Sequence, residues 1–312
     1  MGKNKLSTGC QTIDDLMDGG FPLGAPALIY AIPNLGKTWL CFQTACMCTR
    51  DPKNGGLGRP VLYLDTESFF SEETFQRLYG YFQKRWPDLP KEPMIEIQQV
   101  PSIFELGTAF GMEIQIVQEE SRTSALIKFP TDRQVKIAEG KAEGKREVKE
   151  TFQSTGWLKT SPLWKSFEDK KYGMLAIDSI TVPLKTSIPK STQNLPARGS
   201  ILNAILGVLY PYAQGFNCSI LVTDHLTRSP MNPMYQYGLG EPWGGSDIIY
   251  YIKYVLGLFP PKKNDRESID QGYRLKQVFR NRYPGLDSKT VLAMLAKDQG
   301  YIDMPKGNVR EA

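Results

Sequence analysis

The sequence predicts an α/β fold: a mainly parallel central sheet flanked by helices, with an antiparallel extension towards its C-terminal part. Three observations carry this. Apolar runs of strand length alternate with helical stretches through the first two thirds of the 312 residues. Several of those runs close on an acid or a histidine, as strands do when a ligand site lies beyond their carboxyl ends. After about residue 250 the apolar runs follow one another through polar turns with no helix between them, which favours antiparallel pairing.

Taken in order, residues 6–20 read as a turn, a short amphipathic helix through Ile13, Leu16 and Met17, and a Gly-Gly stop. Ala27–Ala31 is a buried strand running into a tight loop and then a helix that begins at Gly36-Lys37-Thr38. A Gly/Pro/Asn-rich connection (51–60) precedes the strand Val61–Asp65, which ends in Thr66-Glu67. Residues 72–86 have helical spacing, 94–100 read as a strand and 102–118 as a further helix. Gly173–Asp178 is an apolar run closing on an acid, 182–199 a loop, 200–214 a long helix, and Cys218–His225 the next strand. Residues 226–245 form a long loop, and the strands 250–258, 273–279 and 290–296 complete the chain. No internal repeat is evident.

The composition, 41% hydrophobic and 23% charged, is that of a globular core. The net charge of +5 is compatible with a polyanionic partner. Between Ser121 and Lys171 twelve Lys or Arg face seven Asp or Glu, an excess equal to that of the whole chain. Residues 119–171 therefore read as a charged insertion within one core spanning 1–312, with its most polar part (138–150) as a solvated helix or hairpin. Both an exposed insertion and a nucleic-acid-contacting arm fit that segment. No apolar run reaches membrane-spanning length and the first residues carry no apolar leader, so a soluble, cytoplasmic protein is expected. Five cysteines and the single His225 offer no Cys-x-x-Cys and no Cys/His metal cluster.

The chemistry concentrates at four strand ends. Between strand and helix, Ala31, Ile32, Pro33, Asn34, Leu35, Gly36, Lys37, Thr38 and Trp39 point backbone N–H groups and a helix N-terminus at one spot, a phosphate cradle. Lys37 would neutralise ATP phosphates and Thr38 would offer its hydroxyl to Mg²⁺. The pattern usually opens with Gly; here it opens with Ala31. Asp178 is positioned to complete the Mg²⁺ shell, or to cap a turn. Glu67 is placed to activate water, or is a surface acid in a loop, and His225 is placed to sense a terminal phosphate, or is a structural histidine at a strand end. The loop after His225 carries Arg228, Tyr235, Tyr237 and Trp243, a cation with stacking surfaces that suit single-stranded DNA. The loop after Asp178 adds Lys185, Lys190 and Arg198.

This order of motifs resembles the RecA superfamily of recombinases, especially archaeal RadA and UvsX-type phage proteins. Leu6-Ser-Thr-Gly-Cys-Gln-Thr-Ile-Asp-Asp-Leu is similar to the RadA core entry. Tyr63-Leu-Asp-Thr-Glu and Leu175-Ala-Ile-Asp-Ser resemble its catalytic-glutamate and Walker B strands, and Val222-Thr-Asp-His225 the UvsX form of the sensor strand. Gly240-Glu-Pro-Trp-Gly-Gly245 resembles the end of the second DNA-binding loop, bringing in Gly244 and Gly245. Arg280-Asn-Arg282 resembles the basic pair that such subunits insert into a neighbour's ATP site. The resemblance implies a RecA-type core and a DNA-dependent ATPase. Its cofactors would be ATP and Mg²⁺, with the nucleotide bound between subunits of a homo-oligomer, a filament or a ring. Single-stranded DNA and other recombination proteins would be its partners. Its alternatives are a weakly hydrolysing mediator and a ring-forming motor. Departures are Ala31, Pro33, the insertion, and no N-terminal helical DNA-binding domain.

Overall fold

The structure, a computed structural model, describes residues 4–118, 123–130, 155–188, 191–227, 241–259, 273–281 and 289–303. β1 (Lys5–Leu6), α1 (Gln11–Leu16) and β2 (Phe21–Pro22) come first, β1 pairing antiparallel with β2. Next are β3 (Pro26–Ala31), α2 (Lys37–Thr49), β4 (Val61–Asp65), α3 (Glu72–Arg85), β5 (Ile95–Gln99) and α4 (Ile103–Ala109). β6 (Glu113–Gln118) and β7 (Thr123–Lys128) form an antiparallel pair. They are followed by α5 (Pro162–Lys170), β8 (Met174–Asp178), α6 (Val182–Ser187), α7 (Leu195–Phe216) and β9 (Ser219–Thr227). The chain continues through β10 (Glu241–Pro242), α8 (Gly245–Tyr251), β11 (Tyr254–Phe259), β12 (Tyr273–Asn281), β13 (Lys289–Ala296) and β14 (Gly300–Ile302).

The main sheet has the order β14-β13-β12-β11-β3-β9-β8-β4-β5, with β10 paired to the end of β9. Its central strands β11, β3, β9, β8, β4 and β5 all run parallel, and β12, β13 and β14 extend it antiparallel. Side-chain alternation explains why two helical layers are needed. Leu28, Leu62, Leu64, Leu175 and Ile177 face the core shared with α4, α5 and α7, while Ile29, Val61, Tyr63, Met174 and Ala176 face the core shared with α1, α2 and α3. Strands apolar on both sides can be buried only between two layers. Among the described residues no helix is long and apolar enough to cross a membrane.

Local signals set the helix ends. Ser71, Ser102 and Ser161 each accept a hydrogen bond from the N–H three residues on, at the starts of α3, α4 and α5. Glu72 and Glu73 open α3, and Lys84 and Arg85 close it, as its dipole favours.

Four expectations need correction. Residues 102–118 are not one helix: α4 stops before Gly111, which has φ +80, and the alternation from Glu113 onwards makes β6. Residues 182–199 are not simply a loop, because α6 starts at Val182 and α7 at Leu195, each with a proline in its first turn, where the missing N–H costs nothing. Residues 250 and 251 end α8 and are not part of a strand. The later part of the 119–171 segment is built into the core through Leu158, Leu163 and Phe167, all at most 4% exposed. The polar stretch 138–150 lies outside the described residues.

The first and last described elements are clasped together beside α2. Gln43, fully buried, donates to Thr8 O (2.8 Å) and Tyr301 O (3.0 Å) and accepts from Tyr301 N (2.6 Å). Arg85 donates to Gln299 O, Tyr301 O and Gly9 O, and Asp303 accepts from both the N–H and the hydroxyl of Thr12. Replacing Gln43 by Leu would strand at least two buried backbone groups, Thr8 O and Tyr301 N–H. Gln43→Leu is expected to lower the unfolding free energy by about 3 kcal/mol in urea titration. A loss below about 1 kcal/mol would show that the clasp is not held at this residue.

Candidate functional site

Parallel register brings the four strand ends into one row. Ala31 of β3 is level with His225 of β9, and Asp65 of β4 with Asp178 of β8. β9 lies directly between β3 and β8, so the loops after β3, β4, β8 and β9 open on the same edge.

The loop after β3 forms a cradle. Gly36 takes φ +90 at the start of α2, and a Cβ there would lie 2.9 Å from Leu295 Cδ2 and 3.0 Å from Tyr301 Oη. Only glycine combines that backbone with that space. Tyr301 Oη donates to Leu35 O at 2.8 Å, so β14 braces the loop from behind. Leu40 N–H makes the first helical bond, to Gly36 O. The N–H groups of Lys37, Thr38 and Trp39 precede it and are turned towards the space ahead of the helix, a fit for phosphate oxygens. Ala31 is fully buried, its methyl packed in the core cluster of α1, α2 and α3, so the departure from glycine does not intrude on the cradle. The Trp39 ring stacks on Tyr81 with an interplanar angle of 10°, leaving its backbone as its part in the loop.

Lys37 is 7% exposed, and its Nζ lies 3.4 Å from Ala31 O. Burial pulls its ammonium below the ordinary lysine range, with Asp178, Glu67 and Asp224 pulling the other way. A cation so poorly solvated is primed for an anion. Asp178, 3% exposed, accepts from Tyr63 Oη at 2.6 Å and from Thr223 Oγ1, and the Thr38 hydroxyl lies beside it. Burial raises its carboxyl, and the three hydroxyls work against that rise. The Thr38 hydroxyl and the Asp178 carboxylate are thus neighbours, as oxygen ligands or outer partners of one small hard cation must be.

Glu67 and His225 meet across the sheet edge, Nε2 to Oε1 at 2.9 Å. Glu67 is held by its own loop: Asp65 accepts from Glu67 N (3.1 Å), Phe70 N (2.9 Å) and Gln99 Nε2 (2.9 Å). Burial works to raise the Glu67 carboxyl, but the His225 hydrogen bond and the charges of His225 and Lys37 leave it below the usual glutamate range. It is therefore ionised at neutral pH, able to accept a proton.

Lys185, Arg198 and Trp243 are brought together. The Lys185 ammonium lies 4.5 Å, and the Arg198 guanidinium 5.3 Å, from the Trp243 ring. Arg198 is only 5% exposed and donates to Ile188 O, so it is a buried residue and not a loop cation free in solvent. Gly244 donates its N–H to Asp224 Oδ2 (2.8 Å), and Gly245, with φ +70, begins α8. Lys190, Arg228, Tyr235, Tyr237 and Arg282 lie outside the described residues. Arg280 is in β12, level with Leu256 of β11, itself level with Ile29 of β3. That is two residues below Ala31 towards the amino ends, and two strands away from it.

Asp65, Asp224, Tyr63 and Thr223 were not singled out from the sequence. Asp224 is fully buried and accepts from Thr181 Oγ1, His225 N (2.7 Å) and Gly244 N. Its place immediately before His225 at a strand end was the available signal. Tyr63 had none, since its hydroxyl matters only because β4 lies beside β8.

Comparison with known proteins agrees with this architecture. A family model described as Rad51 matches residues 3–84, which include the cradle and Glu67. Over 117 residues the chain is 32% identical to DNA repair protein XRCC3 of Bos taurus, covering 37% of this chain and 34% of that protein. Over 248 residues it is 23% identical to the DNA repair and recombination protein RadA of Metallosphaera sedula, covering 80% of this chain and 60% of that one. The matches thus span about a third and three-fifths of those relatives' lengths. With a family model running through the cradle and a RadA relative aligned along four-fifths of a chain whose sheet carries its site at the parallel strand ends, the chain resembles the RecA/RadA recombinase superfamily.

Proposed function

We propose that the chain is a Mg²⁺-dependent ATPase that binds single-stranded DNA and acts in homologous recombination or repair, with ATP held between adjacent copies. The observation that carries this is the Glu67–His225 contact, 2.9 Å long, on the same sheet edge as Lys37, Thr38 and Asp178. Lys37 and the N–H groups at the start of α2 hold phosphate oxygens, and Thr38 with Asp178 holds the cation. Bound Mg²⁺ supplies charge neutralisation at the phosphates. Glu67 accepts the proton of the attacking water, and His225 positions Glu67 and responds to the terminal phosphate. The displacement of Arg280 from its own chain's cradle, along and across the sheet, supports a role for Arg280 and Arg282 in a neighbour's site. Lys185, Lys190, Arg198, Arg228, Tyr235, Tyr237, Trp243, Gly244 and Gly245 make up the DNA-facing side. A filament is the assembly this reading favours, with other recombination proteins as partners and a cytoplasmic location.

A second reading, a mediator that binds ATP and a partner recombinase but hydrolyses weakly, draws on the similarity to DNA repair protein XRCC3. ATP turnover measured with and without single-stranded DNA, alongside images of the assembly, separates the two. Strong DNA stimulation with helical filaments supports the first, weak turnover without assembly supports the mediator, and rings support a motor instead.

Lys37→Ala is expected to abolish ATP binding; unchanged affinity in calorimetry would sink the site. Glu67→Gln should retain binding and slow turnover at least about a hundredfold. Because the Glu67 carboxyl is lowered, its ionised form is present above its ordinary value of 4.5 and is lost only as pH falls below it. In His225→Ala, burial remains while the hydrogen bond is gone, so the Glu67 carboxyl should titrate at higher pH than in the parent chain by ¹³C NMR. A titration that did not move would show that His225 does not hold it.

A further inference from the structure

Trp39 enters the site in two ways. Its N–H follows those of Lys37 and Thr38 in the cradle and is the last donor before Leu40 N–H, which makes the first helical bond to Gly36 O. Its indole leaves the loop for α3. There it forms an offset stack with Tyr81, centroids 6.4 Å and planes 10° apart, and meets Phe82 at 6.1 Å and 63°. Phe82 is fully buried and stacks in turn on Trp86 at 5.4 Å and 16°. The indole is thus seated on rings that belong to, or pack against, the core shared by α1, α2 and α3. Trp39 and Tyr81 are nonetheless only half-buried. An offset contact covers the margin of a ring, so part of the indole surface stays open.

Helix geometry decides which way that surface lies. The Cα–Cβ bonds of an α-helix tilt towards its N-terminus, and a long side chain covers the turn before its own Cα. Trp39 is the third residue of α2, and the turn before it is Gly36-Lys37-Thr38, the cradle itself. The open part of the indole therefore borders the space in front of the cradle. Donation by the Trp39 N–H needs no particular side chain, so the ring is free to serve something else. A flat, apolar surface beside a phosphate cradle suits a ligand that is phosphorylated at one end and flat at the other.

Resting on the nucleotide reading above, we propose that the Trp39 indole is the platform on which the base of the bound nucleotide stacks. The terminal phosphate lies towards Glu67, and the phosphate nearest the ribose lies at the Trp39 N–H. The base then folds over the indole of that same residue and extends the Tyr81–Trp39 stack. Stacking reads a π-face and no particular base edge. Trp39 accordingly raises affinity for a nucleotide over bare polyphosphate, and Tyr81 and Phe82 hold its ring in place beforehand.

The test uses the full chain labelled with 5-fluorotryptophan, with Trp39→Phe assigning the Trp39 signal among the five tryptophans. The ligands are MgATPγS and magnesium tripolyphosphate, which has the phosphates without the base, and calorimetry runs in parallel. The Trp39 fluorine signal is expected to move with MgATPγS and far less with tripolyphosphate. Trp39→Leu should weaken MgATPγS about tenfold and tripolyphosphate less than about twofold, and Trp39→Phe should restore most of the difference. A merely structural role for the ring would cost both ligands alike. Equal losses, an unchanged MgATPγS affinity in Trp39→Leu, or equal fluorine shifts with the two ligands overturns the proposal, and the signal in the parent chain decides even if Trp39→Leu does not fold. If the parent chain binds neither ligand, the nucleotide reading falls and this proposal with it, and the calorimetric trace of the parent chain distinguishes the two failures.

Discussion

One buried carboxylate holds the site in register. Asp178 ends β8 and accepts from Tyr63 on β4 and Thr223 on β9, with Thr38 of α2 beside it, so three neighbouring elements meet at one carboxylate. Burying such a group is costly, and the hydroxyls offset that cost only if every strand stops at the right residue. A slip of one residue in either neighbour would turn its hydroxyl to the opposite face of the sheet. The same constraint that satisfies Asp178 therefore keeps Glu67 and His225 opposite each other and the cradle beside them.

Around this centre the supports act through the geometry of the backbone. Asp65 collects the N–H groups of the Glu67 loop, and Asp224 collects those on either side of the long loop after His225. Both are carboxylates acting through backbone, one per loop, and both sit at the end of a parallel strand. Lys37, Glu67 and His225 stand at the front of the site, facing the space that a ligand can enter.

Much of this was legible in the sequence because it depends on local signals. Val61–Asp65 is a strand with the bounds the sequence predicts, as its apolar run and its Pro60 and Thr66 flanks require, and the turn into α2 is marked by Gly36-Lys37-Thr38 itself. What failed to read was decided at a distance. Residues 113–118 became a strand because they pair with 123–128, a partner beyond the charged segment boundary. Residues 155–171 read as part of a charged insertion because lysines surround them, yet Leu158, Leu163 and Phe167 are buried in the core cluster, Phe167 against Tyr212 and Phe216 of α7, as composition cannot reveal. Within the site, Lys37, Glu67, Asp178 and His225 were visible one by one. Tyr63, Thr223 and the burial of Arg198 emerge only from which strands and helices are neighbours.

The Tyr301 brace gives the clasp beside α2 a thermodynamic meaning. Tyr301 touches the cradle through its hydroxyl and the clasp through its backbone, joining the loop after β3 to the first and last described segments in one cooperative unit. Opening that unit would cost the loop its rear wall, so the conformational freedom of the cradle is set by segments almost three hundred residues apart in the chain. Linkage works in both directions: whatever orders the loop must protect these segments from exchange with solvent by the same free energy.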